Sequence, residues 1–193
     1  ITGNCTLVLN SNSSSSASLK CTGEPSGTIQ YKMYLSGGES SPWHLVTSPV
    51  VSQSINGFVT DAGNSIQTSD ATNNYALAIY NTTTDAWNYY HNGAGSSPNV
   101  PASSAGDFVI GKGYSILRSA SGEVSFSGTM NKDDQTVSLA ASKWNLVGNP
   151  YTSFVNVNTG AHSTDNIISA SANAIDDCHE AIYLWDASTS TYK

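Results

Sequence analysis

The sequence predicts an all-β fold, an antiparallel β-sandwich of jelly-roll-like form containing an internally duplicated unit. Three observations predict it. Apolar residues alternate in short runs and show no sustained helical period. Clusters of Gly, Ser, Asn and Asp separate those runs at close intervals. One aromatic-to-proline block occurs twice, about a hundred residues apart.

Residues 1–27 read as an N-terminal β-hairpin or the end of an upstream β-rich segment. Within them, 6–9 and 17–20 are strand-like arms around a Ser/Asn-rich turn. Residues 28–193 read as the sandwich module. Its strands are expected at 28–35, 43–46, 75–80, 86–90, 108–110, 114–118, 123–128, 136–139, 144–147 and 181–185. Turns fall at 36–38, 92–95, 119–122 and 131–134. A weak Ala/Ile pattern within 163–174 admits a short helix.

The repeat matches Trp43-His44-Leu45-Val46-Thr47-Ser48-Pro49-Val50 with Trp144-Asn145-Leu146-Val147-Gly148-Asn149-Pro150-Tyr151. Ala78-Ile79-Tyr80-Asn81 is echoed by Ala181-Ile182-Tyr183-Leu184. Trp and Leu, two apart, share one strand face, and Pro ends ladder pairing because it lacks an N–H. Trp43 and Trp144 are therefore both expected in the core. The second copy reads as cut short.

Composition narrows function. Ser, Thr and Asn supply 68 of 193 residues, and charged residues only 11%. The net charge is −7, with seven basic residues in all. A nucleic-acid binder needs a Lys/Arg footprint to displace counterions, so that class is excluded, and anionic membrane surfaces are disfavoured. No apolar run reaches the roughly 20 residues that span a bilayer. No G-x-S-x-G elbow, phosphate loop or metalloprotease motif occurs, so no catalytic residue is expected and the chain reads as a non-enzyme.

If the two N-terminal arms pair antiparallel, Cys5 falls opposite Cys21. A disulfide is then expected in an oxidising compartment, the alternative being two small thiols. Cys178 has no evident partner. Asp176, Asp177 and Glu180 form the densest acidic cluster. It reads either as an oxygen-ligand site for Ca²⁺, with no other cofactor implied, or as a solvated loop.

Trp87, Tyr89, Tyr90 and His91 are the candidate ligand-binding residues. Aromatic faces stack on sugar rings while nearby amides bond their hydroxyls. Strand alternation sends Trp87, Tyr89 and His91 to one face and Tyr90 to the other. The competing reading is a strand with inward-facing rings.

The run Ser125-Phe126-Ser127-Gly128-Thr129-Met130-Asn131, the Trp144-to-Tyr151 block and Ile182-Tyr183-Leu184-Trp185-Asp186 together resemble a module of large secreted Bacteroidetes proteins exported by type IX secretion. The resemblance implies extracellular or cell-surface placement, with roles in adhesion or polysaccharide use. It supplies no catalytic residues. The expectation is a non-catalytic module for adhesion or structural display, with polysaccharides or cell-surface glycans as partners. The alternatives are a carbohydrate-binding module of a polysaccharide-degrading enzyme and a self-associating fibre subunit.

Overall fold

The computed structural model describes residues 6–38, 43–157, 166–171, 175 and 182–193. Along the chain run β1 (Leu7–Leu9), β2 (Ser11–Asn12), β3 (Ser15–Ser16), β4 (Ile29–Leu35), β5 (His44–Val46), β6 (Val50–Val51) and α1 (Ile55–Thr60). There follow β7 (Asn74–Asn81), β8 (Ala86–His91), β9 (Val100–Pro101), β10 (Tyr114–Ile116), β11 (Gly122–Met130), α2 (Ile167–Ala170), β12 (Trp185–Asp186) and β13 (Thr191–Tyr192). The chain is mostly strand with little helix, so the all-β class holds.

Two larger sheets organise the molecule. One has the order β1-β4-β11-β6, the other β5-β10-β7-β8-β9. Residues of both enter one hydrophobic cluster. At its centre Phe126 of β11 stacks on Phe58 of α1 at 4.7 Å, and Phe108 packs edge-on against Phe58, Phe126 and Tyr114 of β10. Burying such rings is the main favourable term holding the sheets together.

Helix α1 escapes prediction because it is short and holds a Gly and three β-branched residues. Ser54 caps it, its Oγ accepting from Gly57 N at 3.2 Å, and Ile55, Phe58 and Val59 form the buried i, i+3, i+4 stripe. Side chains beside it seal β11. Asn64 Oδ1 accepts from Ser125 N at 2.7 Å, and Gln53 Oε1 from Ser127 N at 2.6 Å. Those strand N–H groups are thereby withheld from edge-to-edge pairing.

Several expectations are corrected. The N-terminal arms do not pair with each other. β1 joins β4 in parallel, with Leu7 opposite Ile29, and the hairpin is confined to β2 and β3. Leu19 leaves to bond Thr152, its N–H donating to the Thr152 carbonyl at 3.0 Å. Leu9 gains a place in the core by this exchange, which a two-stranded hairpin could not provide. The register meant to bring Cys5 opposite Cys21 is therefore absent. Cys21 is a free thiol donating to Gly23 O, and Cys5 lies outside the described residues. Residues 108–110 and 136–139 form no strand, and 144–147 contribute only one bridge, Val147 to Lys112. Phe108 is buried as a loop anchor instead. The helix expected within 163–174 is α2, a single turn capped by Asn166.

Candidate functional site

Register defines the two faces of the five-stranded sheet. Tyr80 lies opposite Trp87, Ala78 opposite Tyr89 and Ser115, and Ser115 opposite Leu45. Trp87, Tyr89, Tyr80 and Leu45 thus share one face, and Trp43, two residues before Leu45, extends it. The alternate set, Leu77, Tyr90, Tyr114, Ile116 and Val46, is buried in the core. The first face carries the half-buried rings.

Two of the four predicted ligand residues are thereby removed. Tyr90 is 7% exposed and bonds the Tyr114 hydroxyl, which in turn accepts from Val109 N at 2.9 Å. Burial, then proximity to Tyr114, pushes its phenol well above the ordinary range. His91 shares the face of Trp87 and Tyr89 yet is only 3% exposed. The turn that follows folds back over it. Its Nδ1 accepts from Gly93 N and Gly95 N at 3.1 Å each, and a methyl on Gly95 would lie 2.5 Å from the ring. The alternation was right, but a loop rather than solvent meets His91. Trp87 and Tyr89 stay partly exposed.

Tyr89 forms one wall of a cleft of 240 Å³. Trp43 meets it edge-on with ring centroids 6.1 Å apart, and Tyr75 adds a third ring. Ala76 and Leu117 are apolar lining, while Gln67, Ser69, Thr72 and Asn74 supply polar groups. No lining residue is charged. The segment is shaped by backbone bonds: Ala76 N donates to Gln67 O at 2.7 Å, Ser69 N to Asn74 O at 2.9 Å, and Gln67 N to Leu117 O at 3.2 Å. β7 accommodates it by a register shift between Asn74 and Ala78.

Two residues of the lining carry an unsatisfied side-chain oxygen. Gln67 Oε1 and Asn74 Oδ1 are buried and accept no hydrogen bond. A buried unpaired acceptor costs about 1–3 kcal/mol. Aromatic walls beside uncharged polar side chains suit a ligand that offers hydroxyl or amide groups beside an apolar face. Sequence reasoning missed Trp43, Gln67, Asn74 and Tyr75, because they meet through pairing between segments distant in the chain.

The face continues past the cleft. Trp185 of β12 donates from Nε1 to the Trp43 carbonyl at 2.7 Å, laying the β12–β13 hairpin beside β5. Tyr80 and Trp87 pack edge-on at 5.5 Å. The Tyr80 hydroxyl bonds Asp85, which raises its pKa most, with burial, the Asp85 charge and Tyr192 adding to the effect. Lys193 and Ser188 hold the Asp186 carboxyl well below its usual range.

Trp144 requires a further correction. Trp43 packs against the core, but its repeat counterpart is 68% exposed, touching Tyr183 edge-on at 5.3 Å. β5 is a true strand bonded to β10, whereas the segment after Trp144 is anchored to 111–113 by isolated bonds. The same motif thus meets different cover. Asp176, Asp177 and Glu180, the expected Ca²⁺ ligands, lie outside the described residues. Among the described residues no three His, Cys, Asp or Glu side chains are grouped to hold a metal ion. No helix among them is long and apolar enough to cross a membrane.

No protein-family model, curated protein or solved structure matches this chain.

Proposed function

We propose that this chain is a non-catalytic, glycan-binding β-sandwich module of a secreted or cell-surface protein, acting in adhesion. The observation that carries the reading is the uncharged cleft walled by Trp43, Tyr75 and Tyr89 and lined by the polar residues Gln67, Ser69, Thr72 and Asn74. Sugar hydroxyls can bond the polar side chains of this lining, of which Ser69 and Thr72 are exposed, and the rings offer faces for sugar C–H groups. A sandwich is supported by the two sheets contributing to one core. The resemblance to type IX-exported Bacteroidetes modules supports placement outside the cell. Sealing of β11 by Gln53 and Asn64 weighs against a fibre built through that strand.

The test is retention of the chain on a panel of insoluble and gel-embedded neutral polysaccharides, with Tyr89→Ala alongside. Retention that is lost in the variant supports the proposal. Passage of the native chain through every polymer sinks it.

A further inference from the structure

Two hairpins of this chain follow one plan. In β7–β8, Tyr80 faces Trp87, with rings at 5.5 Å and 62°. In β12–β13, Trp185 faces Tyr192, with rings at 5.0 Å and 63°. The residue after the first ring is Asn81 in one and Asp186 in the other. Each turns its Oδ1 back to accept from the backbone N–H two residues on, Thr83 at 3.0 Å and Ser188 at 2.9 Å. The residue before each returning strand is left-handed, with φ of 52° at Asp85 and 51° at Ser190. This match places Trp185, not Tyr183, at the position of Tyr80. The equivalence is thus shifted by two residues from the one read in the sequence.

The two ring pairs meet through the cleft. Trp87 lies two residues before Tyr89 on the same face of β8, and Trp185 is tied to Trp43, which meets Tyr89 in the cleft. Tyr80, Trp87, Tyr89, Trp43, Trp185 and Tyr192 therefore form a run of rings that passes through the cleft. A single sugar would use the cleft alone. A repeated aromatic pair beside it matches a ligand that itself repeats, since each added contact raises affinity without a second encounter.

The charges present select a neutral ligand. Asp85 is bonded to Tyr80, and Lys193 is paired with Asp186. Arg118, the single arginine of the sequence, is 4% exposed and spends its donors on the carbonyls of Gly63, Asn64 and Ala120. Carboxylated or sulfated sugars need a cation to receive them.

Building on the glycan-binding reading, we infer that the ligand is an extended chain of neutral sugars, one unit in the cleft and later units across the paired hairpins. The experiment is calorimetric titration of the full chain with ladders of xylo-, manno- and cello-oligosaccharides, from one to six units. Affinity in the recognised ladder is expected to rise about tenfold or more with length. Trp87→Ala and Tyr192→Ala should each weaken the longest ligand severalfold and leave the shortest bound ligand unchanged. Both rings lie on partly or fully exposed surface, so the variants are expected to fold.

Affinity independent of length, or variants that bind the longest ligand as tightly as the native chain, would overturn the inference while leaving glycan binding standing. Absence of binding to every ladder and every polymer overturns both.

Discussion

Thr47 and Gly148 hold the same place in the two Trp-to-Pro segments, and they touch. A methyl on Gly148 would lie 2.6 Å from Thr47 Cβ. Both residues bond the stretch between them and β10, Thr47 Oγ1 donating to Lys112 O at 2.7 Å and Gly148 N to Gly111 O at 3.0 Å. The contact joins two segments that lie about a hundred residues apart in the chain.

Gly148→Ala should therefore destabilise the chain by about 1–3 kcal/mol, because the obstructing atom is a β-carbon close to the backbone and cannot swing aside. Gly23→Ala is the control, since nothing lies within 4 Å of its would-be methyl. Urea midpoints of the two variants should separate clearly; coincidence would refute the close contact.

The two tryptophans of the repeat should behave unequally. Trp43→Ala removes a ring packed on the core and on Tyr89, at a cost of roughly 2–4 kcal/mol. Trp144→Ala removes a ring that is 68% exposed and should cost under about 1 kcal/mol. Equal losses in thermal unfolding would contradict the different cover described for them.

Arg118 clamps three carbonyls, with Nε to Asn64 O at 2.8 Å, Nη1 to Ala120 O at 2.8 Å and Nη2 to Gly63 O at 3.2 Å. Burial is the main influence on it and lowers its pKa, though Tyr34 and Glu123 oppose the effect. Arg118→Met keeps the bulk but strands those acceptors, so a loss of about 3 kcal/mol or more is expected. Arg118→Lys should recover only part, because an ammonium lacks the planar fork. Denaturant titration of both variants checks the order.

Alkaline pH should unfold the protein through Tyr90 and Tyr114. Burial raises the folded pKa of both phenols above the ordinary value of about 10. Above that value the unfolded chain loses its phenolic protons before the folded one does. The stabilisation is therefore complete below about pH 10 and is lost as pH climbs toward the folded values. Tyr90→Phe should flatten the fall in urea midpoint between roughly pH 9 and 11. An unchanged slope in that variant would show that Tyr90 ionises freely in the folded state.

The candidate site was half legible in the chain. Trp87 and Tyr89 were found because alternation in a strand is a local rule, and β8 obeys it through His91. The error at His91 came from beyond the strand, where Gly93 and Gly95 return their N–H groups to its ring. Cys21 shows the same division. Its flanking arms were seen, but β1 found a better partner in β4.

Alternation and turn residues determined from sequence alone that this would be a strand-rich chain. They also marked the twin tryptophan segments. Tertiary structure alone decided that β1 runs parallel to β4, that Trp43 is covered while Trp144 is not, and that Gln67, Asn74, Tyr75 and Tyr89 line one cleft. The physical reason is that side-chain period and turn chemistry act over a few residues. Choosing between strand partners of similar local quality depends on how much apolar surface the whole assembly removes from water.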